Sequence, residues 1–184
     1  KEKPFFLAAL KQLSGMKCFP AESDTESWFS ASELYAPYRS EAFRSQAKIL
    51  DFKNPARLKT DLLDELKVTI NPETSLVIGH LQHCVKIGAQ PHVSTYQVLN
   101  ERAQRADPEI STLADSRCIY VESQASFVRP NQLYWSPQQL GRYAFTIPSN
   151  LETFKPLFDA IGVKSSPEGR DYIDILLDII GEHF

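Results

Sequence analysis

Met16-Lys17-Cys18-Phe19-Pro20-Ala21-Glu22-Ser23 and Ser116-Arg117-Cys118-Ile119-Tyr120-Val121-Glu122-Ser123 are variants of one phrase, set 100 residues apart. The echo continues outward from both. Leu34-Tyr35 returns as Leu133-Tyr134, and Pro37 as Pro137. Further on, Leu62, Asp64, Val68, Pro72, Glu73, Ile78 and Leu81 return as Leu157, Asp159, Val163, Pro167, Glu168, Ile173 and Leu176. These are seven identities in the 30 positions 57–86, all at an offset of 95, where chance supplies about two. Self-similarity at a fixed offset is read first because it sets the architecture. It predicts two copies of one unit, the first with a longer middle segment.

Local signals agree between the copies, as consistency across levels requires. Each opens with a short helix, Pro4 to Leu13 or Pro108 to Ala114, followed by a strand around Cys18 or Cys118. A polar turn, Glu22-Ser23-Asp24 or Glu122-Ser123-Gln124, leads into a second strand around Phe29 or Phe127-Val128, which together make a hairpin. A helical turn follows, opened by Ser30 with Glu33 in one copy and by Pro130 in the other. Asn54-Pro55 opens a helix with Leu58, Leu62, Leu63 and Leu66 on one face. Ser149 with Glu152 opens its counterpart, which carries Phe154, Leu157, Phe158 and Ile161. Asn71-Pro72-Glu73 and Ser166-Pro167-Glu168 start the last shared helix with a cap, a proline at its first position and an acid. Between the copies, His92 to Arg105 is an amphipathic helix with a stripe of Val93, Tyr96 and Leu99, broken at Asp107-Pro108. The expected fold is α+β and mostly helical: two similar modules, each a β-hairpin packed on helices. The expected boundaries are 1–91 for the first module, 92–107 for the connecting helix and linker, and 108–184 for the second.

Composition narrows the function classes. The chain has 184 residues, 42 % of them hydrophobic and 23 % charged, which excludes a disordered tail. Its longest wholly apolar run, Phe5 to Leu10, is far too short to span a membrane. Lysine at the first position reads as an excised piece of a longer chain. Net charge is −3, and residues 1–91 carry 12 basic against 11 acidic side chains, residues 92–184 only 8 against 12. Neither half has the basic excess that phosphate backbones demand, so the charge argues against nucleic acid as a partner. Three cysteines, Cys18, Cys84 and Cys118, make no disulfide framework and match no zinc spacing. A reducing, cytoplasmic setting suits them.

Three groups of residues invite a chemical reading. His80, His83 and Cys84 fall within one helical turn, so they are the candidate metal ligands. The internal alignment opposes that role, because positions 80, 83 and 84 match Ile175, Asp178 and Ile179. It predicts that His80 and Cys84 face the core and His83 faces solvent. Asp171, Asp174 and Asp178 line one helical face and read as its wet side, not as an acid–base pair. Cys18 and Cys118 read as two small buried side chains rather than nucleophiles. The aromatic pairs Trp28-Phe29 and Tyr134-Trp135 read as core under the hairpins. The last helix is different: Tyr172, Ile173, Ile175, Leu176, Leu177, Ile179 and Ile180 nearly encircle it. Such a helix needs cover on two sides, from a following helix or from a neighbouring molecule.

The phrases Lys17-Cys18-Phe19-Pro20, Trp28-Phe29 and Ser32-Glu33-Leu34-Tyr35-x-Pro37 resemble a segment of sacsin and its NO VEIN-type relatives. So do Arg117-Cys118-Ile119-Tyr120-Val121, Phe127-Val128-Arg129-Pro130-Asn131-Gln132-Leu133 and Phe158-Asp159-Ala160-Ile161-Gly162-Val163-Lys164. Those are very large proteins in which an ATPase head of the chaperone, gyrase and histidine-kinase type precedes long repeats. The resemblance covers about residues 5–88 and 106–184, and it departs at Lys67, where the second copy has Gly162. It implies a chaperone-like protein's repeat segment downstream of the head, with no catalytic residue, no cofactor and protein as its partner. Only seven glycines are present, and none lie closer than Gly162 and Gly169, so no phosphate-cradling loop can form and nucleotide is not expected. Two other readings stand beside this one: a small metal-dependent hydrolase using His80, His83 and Cys84, and a nucleic-acid-associated module of a defence-type ATPase.

Overall fold

The computed structural model describes residues 3–54, 58–137, 141 and 143–183. Helices and short strands alternate along it in an α+β arrangement. The elements are α1 (Lys3–Ser14), β1 (Phe19–Ala21), β2 (Asp24–Phe29), α2 (Thr60–Leu66), α3 (Thr74–Ile87), α4 (Val93–Gln104), β3 (Ile119–Val121), β4 (Ser126–Val128), β5 (Leu133–Tyr134), β6 (Phe145–Thr146), α5 (Lys155–Ala160) and α6 (Gly169–His183). Among the described residues, 3-10 turns lie between them at Ala31–Glu33, Ser40–Ala42, Pro108–Leu113, Glu122–Gln124, Pro130–Gln132 and Ser149–Phe154. The chain divides into two compact units, Lys1–His83 and Cys84–Phe184, and the division falls inside α3. The helix α4, read from sequence as a connector, packs on α5 within the second unit.

In the first unit β1 and β2 pair antiparallel, with Phe19 opposite Phe29 and an irregularity before Ala21 opposite Asp24. The Cys18 N–H reaches back to the Phe29 carbonyl at 3.1 Å. A 3-10 turn follows, held by the Glu33 carboxylate, which accepts the Ser30 N–H at 2.9 Å. Such a carboxylate takes up an N–H that the helix itself leaves unpaired. Leu34-Tyr35 then runs as the centre of a small parallel arrangement. The Leu50 N–H donates to the Tyr35 carbonyl (2.9 Å), and the Ala36 N–H donates to the Thr69 carbonyl (2.8 Å). Helix α2 ends at Lys67 in the left-handed conformation, φ 63°, after which the Val68 N–H bonds the Leu63 carbonyl at 2.9 Å. Leu10, Phe29, Leu34, Leu50, Leu63, Leu66 and Val68 form one buried cluster across these elements.

The second unit repeats that list of bonds. Its hairpin pairs Ile119 with Val128, Tyr120 with Phe127 and Val121 with Ser126. The Cys118 N–H bonds the Val128 carbonyl at 3.2 Å, and the Gln132 side chain accepts the Arg129 N–H at 3.1 Å. Strands β5 and β6 pair in parallel, Leu133 with Phe145 and Tyr134 with Thr146. The Ile147 N–H donates to Tyr134 and the Trp135 N–H to Lys164, each at 3.1 Å. Helix α5 ends at Gly162, φ 92°, and the Val163 N–H bonds the Phe158 carbonyl at 2.9 Å. Three bonds made by two α4 side chains lock this unit. The buried Tyr96 hydroxyl donates to the Cys118 carbonyl and accepts the Tyr120 N–H, each at 3.0 Å. The Asn100 side chain accepts the Leu157 N–H at 3.1 Å.

Several expectations move. Helix α2 starts at Thr60, not at Asn54, and Pro55 lies outside the described residues. The Tyr38 hydroxyl donates to the Leu58 carbonyl, and Lys59 is extended at ψ 139°, so Leu58 precedes the helix. Ser149 begins a 3-10 turn; the α-helix begins at Lys155. Pro156 is the reason, since it has no N–H for the Glu152 carbonyl. Helices α3 and α6 begin two residues beyond Pro72 and Pro167, so those prolines stand outside the helices. Val93 is 43 % exposed, so the buried stripe of α4 runs through Tyr96 and Leu99 without it. Trp28 is 59 % exposed rather than core, and Cys18 is only half-buried.

Candidate functional site

His80 and Cys84 are buried on α3, while His83 is exposed. The three therefore do not converge. The His80 Nδ1 lies 2.7 Å from the Ser45 hydroxyl, and a hydrogen bond to the Glu41 backbone holds the ring as well. Burial lowers the His80 pKa from 6.5, with His83 adding to the effect. Ser45 was not singled out from sequence. No spacing rule joins a turn at 45 to a helix at 80; only the fold brings them together.

A serine hydroxyl on an imidazole is also the opening geometry of nucleophilic catalysis. Here the Gln46 side-chain amide donates to that same hydroxyl at 3.0 Å. Ser45 is thus one link in a chain of bonds that satisfies a buried ring, as buried polar groups require. Gly79 makes room for it, since a Cβ there would stand 3.1 Å from the Gln46 Oε1. Among the described residues, no three His, Cys, Asp or Glu side chains gather as a metal-ligand set.

The buried thiols of Cys84 and Cys118 are held in their protonated form. Burial raises the Cys118 pKa to about 12 and raises that of Cys84 as well. A nucleophilic cysteine needs the opposite shift.

The acidic face of α6 is partly engaged. Asp171 accepts the Lys164 ammonium at 2.9 Å and the Glu168 N–H at 2.8 Å. Burial raises its pKa, but these bonds outweigh that and leave it below the ordinary value of 3.8. Asp174 is exposed, and the side chain of Asp178 lies outside the described residues.

Both Glu-Ser turns overlook a shallow cleft. In the first unit it measures about 300 Å³ and is lined by Glu22, Ser23, Arg44, Ala47 and Ile49. In the second it measures about 390 Å³, with Val121, Glu122, Ser123, Thr146 and Pro148 in its walls. The carboxylates there are occupied. Arg44 meets Glu22 at 3.4 Å, and the Gln90 amide meets Glu122 at 2.8 Å.

The feature that stands apart is the surface of α6. Tyr172 (46 %), Ile173 (58 %), Leu176 (56 %), Leu177 (60 %) and Ile180 (53 %) are all exposed, and Ile175 and Ile179 are half-buried. Scattered apolar side chains are ordinary on a surface, but a contiguous row marks an interaction site. Among the described residues no helix is long and apolar enough to cross a membrane. The matching row on α3 behaves otherwise: Val77, Ile78 and Leu81, at the positions of Tyr172, Ile173 and Leu176, are buried. Comparison with protein-family models, with characterised proteins and with solved structures finds no match to this chain.

Proposed function

We propose that the chain is a pair of equivalent units acting as a non-catalytic protein-interaction module, a repeat segment of a sacsin-like protein. The observation that carries the reading is the exposed apolar row Tyr172, Ile173, Leu176, Leu177 and Ile180 on α6. Burying it is favourable at about 25 cal/mol per Å², and protein is the natural cover for a helical face of this kind.

Equivalence of the units is supported by the paired bonds: Cys18 with Cys118, Leu50 with Ile147, Val68 with Val163. Lys67 takes up the left-handed turn that Gly162 takes, although the first copy lacks the glycine of the family pattern there. A metal-dependent hydrolase finds no support, because His83 faces away from His80 and Cys84.

Thermal unfolding with and without magnesium-ATP tests the proposal. A ligand specific for the folded state raises stability by about 2.7 kcal/mol at a hundred times its dissociation constant. The expected result is no change in Tm at millimolar nucleotide. A saturable rise with ATP, absent with magnesium alone, contradicts a purely interacting module.

A further inference from the structure

The hairpins of the two units differ along one edge. In the first unit an extended segment lies antiparallel to β1, with Leu50 opposite Ala21. The Glu22 N–H donates to the Ile49 carbonyl at 2.9 Å, and the Asp51 N–H to the Pro20 carbonyl at 3.0 Å. Those two bonds close the outer side of β1.

In the second unit Ile147 stands where Leu50 stands in the first, each donating its N–H to the tyrosine of a neighbouring strand. Pro148 therefore stands in the place of Asp51. Proline has no N–H to give, so the Tyr120 carbonyl cannot be met as the Pro20 carbonyl is. The Tyr120 N–H turns away from β4 to the Tyr96 hydroxyl. Its carbonyl and the Glu122 N–H face outward with it, as alternation along a strand requires. Among the described residues, neither group has a backbone partner. A cleft of about 390 Å³ opens there, with Val121, Glu122, Ser123, Thr146, Pro148 and Ser149 in its walls.

We infer that this edge takes an extended segment of a partner protein, laid antiparallel along β3. The partner gives the Tyr120 carbonyl the N–H that Pro148 lacks, and offers a carbonyl to the Glu122 N–H. The first unit selects this occupant, because the two matching groups there are met by extended backbone. Strand addition to an open edge draws its affinity from such main-chain bonds. The inference deepens the interaction-module reading, on which it rests, by naming one kind of partner and its place. Two backbone bonds and a shallow cleft make the binding weak, roughly 0.1–1 mM for a short peptide.

The probe is a synthetic peptide of Gln46-Ala47-Lys48-Ile49-Leu50-Asp51-Phe52-Lys53, the stretch that closes the first unit's edge. It is titrated into the isotope-labelled intact chain while the backbone amides are followed by NMR. The Glu122 amide is expected to shift saturably by about 5 mM peptide. The Glu22 amide, already bonded, is expected to stay in place. Methylating the backbone nitrogen of Asp51 in the peptide removes the one donor, and is expected to weaken binding about tenfold.

In the chain itself, Pro148→Asp restores the donor, and aspartate suits the position before the 3-10 turn at Ser149. That variant is expected to slow hydrogen exchange at Glu122 and to bind the peptide about tenfold more weakly. Should it fail to fold, the methylated peptide still decides. Four results overturn the proposal: no shift at Glu122, equal binding of the methylated peptide, undiminished binding to folded Pro148→Asp, or a Glu122 shift that grows with the concentration of the chain alone. The last assigns the edge to a second copy. None of these moves the ATP melt, so the non-catalytic reading survives them. A saturable ATP shift with peptide binding intact does the reverse.

Discussion

Lys67 and Gly162 close their helices in the left-handed conformation, at φ 63° and φ 92°. A side chain is strained there and glycine is not. Lys67→Gly is therefore expected to stabilise the chain, and Gly162→Ala to destabilise it, each by about 1 kcal/mol. A Cβ at 162 meets nothing within 4 Å, so the penalty is backbone strain alone. Urea unfolding measures both; stabilisation by Gly162→Ala contradicts the assigned turn.

Tyr96 is a sharper case. Its hydroxyl serves one donor and one acceptor in the hairpin, and it is 3 % exposed. Tyr96→Phe leaves the Tyr120 N–H and the Cys118 carbonyl without that partner, a loss of about 2 kcal/mol. An unchanged Tm excludes the bridge. Neither bond was legible in sequence. Tyr96 announced itself as apolar stripe, and its hydroxyl finds partners 22 and 24 residues away.

At the scale of elements, local chemistry was a good guide to kind and a poor one to limits. The hairpins, the turns after Ser30 and Arg129, and the helices α3, α4 and α6 lie where the pattern placed them. Proline was an uneven guide to helix starts: the turns at Pro108 and Pro130 begin on the proline as read, while others were misplaced. At Pro72 and Pro167 the helix waits two residues. Proline marks a start only when its neighbours are free to turn, and that is decided by packing.

Helix α3 also carries a titration. Burial holds His80 below its ordinary value, so the unfolded chain takes up its proton first. Stability is then present above about pH 6.5 and falls as the pH drops from there through the folded pKa. His80→Gln, which keeps a partner for Ser45, is expected to flatten that limb in a pH series of thermal melts. An equally steep limb in the variant places the titration elsewhere.

For the whole molecule, the α+β class was readable because caps, turns and apolar positions mark helices and hairpins plainly. The candidate surface was half readable. The ring of isoleucine and leucine around α6 is plain in the sequence, but its exposure, against the burial of the matching row on α3, appears only in the fold. His80 was read as core-facing from its match to Ile175 and is buried; its bond to Ser45 was not legible, because one-dimensional spacing says nothing of a turn at 45.

The reading of two equivalent units rests on residues 5–88 and 106–184 folding alike. Through-hydrogen-bond scalar couplings in the NMR spectrum of labelled protein test that bond by bond. Six are expected, in three pairs: Cys18 to Phe29 with Cys118 to Val128, Leu50 to Tyr35 with Ile147 to Tyr134, and Val68 to Leu63 with Val163 to Phe158. All six present supports two equivalent units; a coupling found in one unit with its counterpart missing, or made to a different carbonyl, contradicts them.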